Sequence, residues 1–207
     1  MKKITTLCLS LLFAATAFAQ NEGGTLSLQP KVGLNVSSIV SGSESLDPKA
    51  GLTFGLELDY RINRLISLTF GTLYSQQGAK ENYSGADFNF ELNYINVPTL
   101  VNFHLAKGLA LKSGLQFGFL VNEIVHIKVG GEQVDMGLEE AARKVPGGEY
   151  ATLRKFDLSI PFGISYEFSG IMIEARYCGG IIPIYGHAPG TDRNSVLQFS
   201  VGYNFKL

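Results

Sequence analysis

The C-terminal stretch Ser195-Val-Leu-Gln-Phe-Ser-Val-Gly-Tyr-Asn-Phe-Lys-Leu207 interleaves two unlike residue sets. Leu197, Phe199, Val201, Tyr203, Phe205 and Leu207 share one parity, while Gln198, Ser200, Gly202, Asn204 and Lys206 share the other. A period of two is that of a β-strand, whose successive side chains point to opposite faces. One face is large and apolar and the other small and polar, as in a strand with hydrocarbon on one side and a crowded lumen on the other.

The same pattern recurs seven times upstream. The spacing predicts strands over about Leu26 to Ser37, Ala50 to Ile62, Leu65 to Gln76, Phe88 to Phe103, Leu109 to Val121, Leu153 to Phe168 and Ile171 to Gly179. Leu73 falls on the polar side of the third. In the fourth, Phe88, Phe90 and Leu92 share one parity but Ile95, Val97, Val101 and Phe103 the other, so a bulge is expected near Tyr94. Connections alternate: Asn63-Arg64, His104 to Gly108 and Ser169-Gly170 are short, whereas Ser38 to Lys49, Gln77 to Asp87, Asn122 to Thr152 and Gly180 to Asn194 are long. That alternation is expected of an all-β, eight-stranded, antiparallel up-and-down transmembrane barrel, with short turns and both termini in the periplasm and long loops outside. The longest loop holds Val134 to Val145, a candidate short helix between the breakers Gly130, Gly131 and Pro146-Gly147-Gly148.

Alternation alone fits a soluble, lipocalin-like barrel too, with its polar face in water. The polar face here carries Gly33, Gly51, Gly55, Gly71, Gly114, Gly118, Gly163 and Gly202, residues that suit a narrow lumen and not a hydrated surface. Aromatic residues collect at the strand ends: Tyr60, Phe103, Tyr166, Phe168, Tyr203 and Phe205 toward one rim, Tyr74, Phe119, Phe156 and Tyr177 toward the other. Amphipathic rings prefer the two membrane interfaces.

The chain of 207 residues suits one domain. Lys2 and Lys3 precede the apolar run Leu7 to Phe18 and the small-x-small site Ala17-Phe18-Ala19. Residues 1–19 therefore read as a secretory signal peptide cleaved between Ala19 and Gln20, and residues 20–207 as the barrel domain. Cleavage lowers Lys+Arg from 17 to 15 against 18 Asp+Glu, a net charge of about −3. That balance gives no electrostatic reason to expect nucleic acid. Cys178 is left without a partner for an internal disulfide, and no mature apolar run is long enough for a spanning helix.

The inward charges Lys31, Glu57, Asp59, Arg61, Lys112, Asp157, Glu174 and Arg176 are read as a structural lumen network, because buried charges must pair. A charged constriction selecting ions is the other reading of the same residues. The histidines His104, His126 and His187 lie in predicted connections. A hydrolase could be imagined from His187 with Ser195 and Asp192, or from His126 with Glu123, but no nucleophile motif surrounds them. Neither metal-ligand spacing nor a cofactor motif is present, and no catalytic residue is assigned.

Gly170-Ile-Met-Ile-Glu-Ala-Arg-Tyr-Cys-Gly-Gly180 resembles the E-A-R-Y-x-x-G strand of the outer-membrane β-barrel domain family, related to PorT and to small OmpA-like, porin-family proteins. Tyr94-Ile-Asn-Val-Pro-Thr-Leu100 is similar to that family's Y-x-x-I-P-x-L strand, and Val201-Gly-Tyr-Asn-Phe205 to its closing strand. The resemblance implies bacterial outer-membrane lipid as surroundings and an encounter with the barrel-assembly machinery. That machinery commonly reads a terminal aromatic residue, whereas here Lys206 and Leu207 follow Phe205. The expected function is a non-enzymatic, monomeric barrel with a structural or binding role through its loops. A narrow channel for ions or small solutes is the alternative, and a rim-located lipid-modifying enzyme a further one. Pro98 is matched in the family strand; Pro161, also mid-strand, is expected to need a local bulge.

Overall fold

The computed structural model describes residues 24–42, 44–83, 86–129, 132–137, 153–185 and 192–207. The signal-peptide region with its Ala19/Gln20 site, His187, and most of the expected helix lie outside them. Eight strands form the wall: β1 (Thr25–Ser41), β2 (Asp47–Arg61), β3 (Ile66–Tyr83), β4 (Ala86–Ala106), β5 (Leu109–Val129), β6 (Phe156–Phe168), β7 (Ile171–Gly180) and β8 (Arg193–Tyr203). Each pairs antiparallel with the next, and β8 closes on β1 from Lys31 opposite Gly202 to Val40 opposite Arg193. Closure satisfies the backbone groups that an open edge would expose to lipid. Short pieces extend the wall: Glu44–Ser45 on β1, Glu132–Met136 on β5, and Phe205–Lys206 beside the start of β1.

One circuit of paired residues runs Thr25, Arg61, Ser67, Asn102, Lys112, Gly163, Arg176, Gln198 and returns to β1 at Asn35, ten residues beyond its start. Such a stagger tilts eight strands by about 40° and leaves an interior filled by their own side chains. The short connections are tight. Asn63 Oδ1 accepts from the Leu65 and Ile66 amides at 2.8 and 2.9 Å. Ser169 and Gly170, at φ 51° and 84°, give the left-handed pair that matches a hairpin's twist.

Burial is inverted relative to a water-soluble protein. Phe162 and Phe199 stand outward at 61% and 50% exposure, while Arg176 and Glu57 are buried at 1% and 0%. A wall this apolar on its outer face requires hydrocarbon around it. Leu73, odd in sequence, faces inward with Leu100.

Strand β4 carries the whole profile. From the short-turn end, its outward parity reads Phe103, Val101, Thr99, Val97, Ile95, then Asn93, itself buried beside the β5 bulge, and then Glu91, Asn89 and Asp87. The inward parity reads His104, Asn102, Leu100, Pro98, Asn96 and then Tyr94, Leu92, Phe90, Phe88. The expected flip within this strand does not occur, since its register with β3 is continuous from Phe103 to Ala86. What changes is the surrounding medium, from lipid outside to water outside, and the apolar set moves inward in response. The bulge sits in β5: Tyr94 faces Leu120 but Asn93 faces Asn122, leaving Val121 as the extra residue.

Two expected loops are consequently shorter than the pattern implied. Strand β3 continues to Tyr83 and β5 to Val129, and Glu132–Met136 pairs with β5. Val134 to Met136, the start of the expected helix, is therefore strand, because Val134 and Met136 sit opposite Ile127 and Val125. Above the lipid band these segments enclose an apolar cluster of Ile39, Ala79, Leu92, Tyr94, Val125, Leu153 and Ile184.

Pro161 needs no bulge. The β5–β6 register is unchanged on either side of it, from Ser113 opposite Phe162 to Gln116 opposite Ser159, with the rungs between missing. Pro98 sits in the same kind of gap against β3, between Phe70 opposite Thr99 and Leu73 opposite Asn96. Each proline keeps its pairing on the other side, with Cys178 and Gln116 respectively. One absent donor per proline is thereby confined to one ladder.

Phe199→Arg, in the middle of the outward run of β8, is expected to lower folding stability in lipid vesicles by about 2–4 kcal/mol. Asn89→Arg, on the extension beyond the band, is expected to change it by no more than about 0.5 kcal/mol. Guanidinium titration in vesicles of both variants measures the contrast; equal losses would place the lipid boundary elsewhere.

Candidate functional site

Inward parity brings five of the eight expected lumen charges into one contact network. Lys31 on β1 donates to Glu57 Oε2 on β2 at 2.5 Å and to Glu174 Oε2 on β7 at 2.8 Å. Lys112 on β5 donates to the same Glu174 oxygen at 2.8 Å. Arg176 on β7 reaches Glu57 Oε1 through Nη2 at 2.9 Å and Glu174 Oε1 through Nε at 2.6 Å, and its Nη2 also pairs with Glu174. All five side chains are at most 4% exposed. The network crosses the lumen, joining β1 and β2 to β5 and β7.

The glycines of the polar face acquire their reason here. Lys31 lies between Gly55 and Gly202 on its two neighbouring strands, Glu57 opposite Gly71, and Gly163 between Lys112 and Arg176. Long side chains can lie across the lumen because their lateral neighbours occupy no space. A Cβ at Gly71 would stand 2.6 Å from Glu57 Cγ, and one at Gly202 2.8 Å from Lys31 Cγ.

Asp59, Asp157 and Arg61 lie outside this network. Asp59 Oδ2 accepts from Ser67 at 2.8 Å, Thr69 at 3.0 Å and Asn102 at 2.6 Å, so neutral donors hold it. His104 Nε2 contacts Ser67 Oγ at 2.9 Å. Asp157 accepts from Asn194 at 3.3 Å, and Asn194 also donates to the Tyr94 hydroxyl at 3.2 Å. Arg61 stands at the short-turn mouth, and no ion pair joins it to another described residue. The amides Asn102 and Asn194 are not legible as site residues: parity marks Asn102 as inward and Asn194 ends a predicted connection, and no local pattern names the carboxylate that each meets. Cys178 Sγ is buried 3.8 Å from Gln116 Oε1.

The lumen is layered. A vestibule of about 860 Å³ opens at the short-turn end and reaches in to Lys112 and Met172. The ion-pair network lies at that depth, and the apolar cluster around Leu92 and Ile184 fills the long-loop end. Outside the band, His126 Nδ1 lies 2.7 Å from Asp135 Oδ1 and its Nε2 3.8 Å from Glu91, which also meets Lys49 at 3.3 Å. Hydrogen bonding from Asn93, aided by Lys49, holds the Glu91 carboxyl below its ordinary range. Glu123, three residues from His126, falls on the opposite face of β5, so the imagined His126–Glu123 pair does not form. Ser195 Oγ meets the Tyr177 hydroxyl at 3.1 Å. Among the described residues no group of three His, Cys, Asp or Glu side chains is arranged to hold a metal ion.

Residues 18–186 match the family described as outer membrane protein beta-barrel domain. Among solved structures, Neisserial surface protein A is 17% identical with a TM-score of 0.49, over 90% of this chain and 100% of that one. The attachment invasion locus protein Ail of Yersinia pestis, in complex with the heparin analogue sucrose octasulfate, is 15% identical with a TM-score of 0.48, over 88% and 99%. The outer membrane protein OprG from Pseudomonas aeruginosa is 11% identical with a TM-score of 0.45, over 89% and 96%. No curated protein matches.

The network holds three cations and two anions, and this fixes an order of mutational cost. Glu174→Gln leaves three cations facing one carboxylate and is expected to cost about 3–5 kcal/mol, the range for a broken buried pair. Lys112→Met leaves two cations facing two carboxylates and is expected to cost least, with Arg176→Met between them because it also loses two hydrogen-bonded partners. Denaturant midpoints in one micelle system rank the three; the reverse order would show that charge balance does not govern this lumen.

Proposed function

Since the chain belongs to the outer membrane protein β-barrel domain family, we propose that it is a non-enzymatic barrel whose sealed lumen is structural and whose long-loop end carries a binding role. The long loops then face the cell exterior, the short turns and both termini the periplasm, and the assembly machinery inserts the chain after removal of residues 1–19. The carrying observation is the stack inside the barrel. The five-residue ion-pair network bridges the walls, and the apolar cluster of Ile39, Leu92, Val125, Leu153 and Ile184 fills the lumen above it. An eight-stranded barrel has little space beyond its own side chains. Ions would have to displace buried salt bridges and then cross an apolar layer, both costly steps.

The extension supports a role at the long-loop end. Strands β3, β4 and β5 run past the apolar band and pack an apolar interior in water, which makes a rigid platform for loops. Lipid surroundings and a monomeric state belong to the same proposal.

The second reading, a narrow channel, is favoured only by the vestibule, whose volume penetrates to Lys112. Planar-bilayer recording separates the two. The refolded exported chain is expected to give no discrete conductance steps, with Arg176→Ala equally silent because the apolar cluster still blocks the lumen. Steps in the natural chain whose ion selectivity changes in Arg176→Ala would establish the channel and remove the sealed-lumen reading. Unboiled protein is expected to migrate faster than boiled protein on gels, which confirms that the recorded species is the folded barrel.

A further inference from the structure

The vestibule at the short-turn end has a charge that neither the fold nor the sealed lumen requires. Its wall includes the cations Arg61, Arg64, Lys107, Lys112 and Lys206, against the anions Asp59 and Glu167. Both anions are already held by neutral donors: Asp59 by Ser67, Thr69 and Asn102, and Glu167 by Asn204 at 2.7 Å. Of the cations, Lys112 pairs with Glu174, and no ion pair joins the other four to a described residue. A concave site of one sign with low-dielectric walls concentrates its field and attracts counter-charge. Two of the four cations are arginines, whose planar forks match the oxygens of carboxylate and phosphate. The volume of about 860 Å³ lies within the range of small-molecule sites. The network and the apolar cluster close the far side, so a solute that enters must leave by the same mouth.

We propose that this blind chamber is a binding site for a small, multiply charged oxyanion of the carboxylate or phosphate class, held by Arg61 and Arg64 at the mouth and seated toward Lys112. The oxyanion is a free solute in this proposal; an anionic lipid headgroup at the rim shares its chemistry but does not reach the chamber floor. The proposal rests on the sealed-lumen reading only for the chamber's closed end.

Methionine gives a reporter at each end of the barrel. Met172 is 3% exposed on the chamber wall, with its Sδ 3.7 Å from Lys112 Nζ, and Met136 belongs to the extension at the opposite end. The exported chain carrying methyl-13C methionine, refolded in micelles that contain a neutral phosphatidylcholine lipid, is titrated with citrate and separately with inorganic phosphate at constant ionic strength. The Met172 methyl signal is expected to shift saturably while Met136 stays fixed. In the Arg61→Gln/Arg64→Gln double variant the apparent Kd is expected to rise at least tenfold, with the Met136 signal and heat-modifiable mobility showing that the barrel is intact. No saturable Met172 shift with either anion, or an unchanged Kd in the double variant, overturns the proposal. So does a response that appears only when phosphatidylglycerol replaces the neutral lipid, since that assigns the cations to a headgroup. A conducting barrel with a normal Met172 response would refute the sealed lumen and leave the anion site standing.

Discussion

The arrangement depends on five buried charges that meet across the lumen. Lys31 and Glu57 come from the neighbouring strands β1 and β2, and Lys112, Glu174 and Arg176 from β5 and β7, far off in sequence, which become the opposite wall only when β8 closes on β1. In a medium of low dielectric each charge alone would be prohibitive, and each is tolerable because it touches opposite charge at hydrogen-bonding distance. The network therefore couples closure to composition. A register slip of one residue on β7 would turn Glu174 and Arg176 outward into hydrocarbon and strand their three partners inside.

The glycines follow from the same constraint. Side chains as long as lysine and arginine cross a lumen this narrow only where the adjacent strands leave room, and Gly55, Gly71, Gly163 and Gly202 stand beside the charges at paired positions. The two prolines are admitted by a related economy. Pro98 and Pro161 each interrupt the ladder on one side and retain it on the other, so the wall keeps its register without a bulge at either position.

A second constraint acts along the axis. Where the outer medium is lipid, apolar residues face out and polar ones face in; beyond the band, the preference reverses on an unbroken strand. Ile95 and Leu92 on β4 are both apolar but of opposite parity because they lie on opposite sides of that boundary, and the Val121 bulge lets β5 adjust its own alternation to the change. The result is a barrel closed at the long-loop end by apolar packing and open at the short-turn end into a basic chamber. Structural integrity and any recognition are thus separated: the middle of the lumen holds the fold, and the two ends face the two aqueous compartments.

Amino-acid order alone determined the eight alternating segments and the inward or outward parity of nearly every residue in them, but not the lengths of all the connections, since most of the expected loop from Gln77 to Asp87 is paired strand. Segments and parity are local properties of period two and turn chemistry, and they are written in consecutive residues. It also marked Lys31, Glu57, Lys112, Glu174 and Arg176 as inward charges needing partners. Tertiary structure decided who those partners are, because partnership depends on the ten-residue stagger of the closed sheet, which no single strand encodes. It separated Asp59 and Asp157 from the ion pairs for the same reason, giving Asp59 three neutral donors and Asp157 the Asn194 amide, all from other strands. The change of apolar parity near Tyr94 was legible as an irregularity, but its cause was not. A reversal of medium and a reversal of backbone leave the same trace in a sequence, and only the register of β4 against both of its neighbours tells them apart.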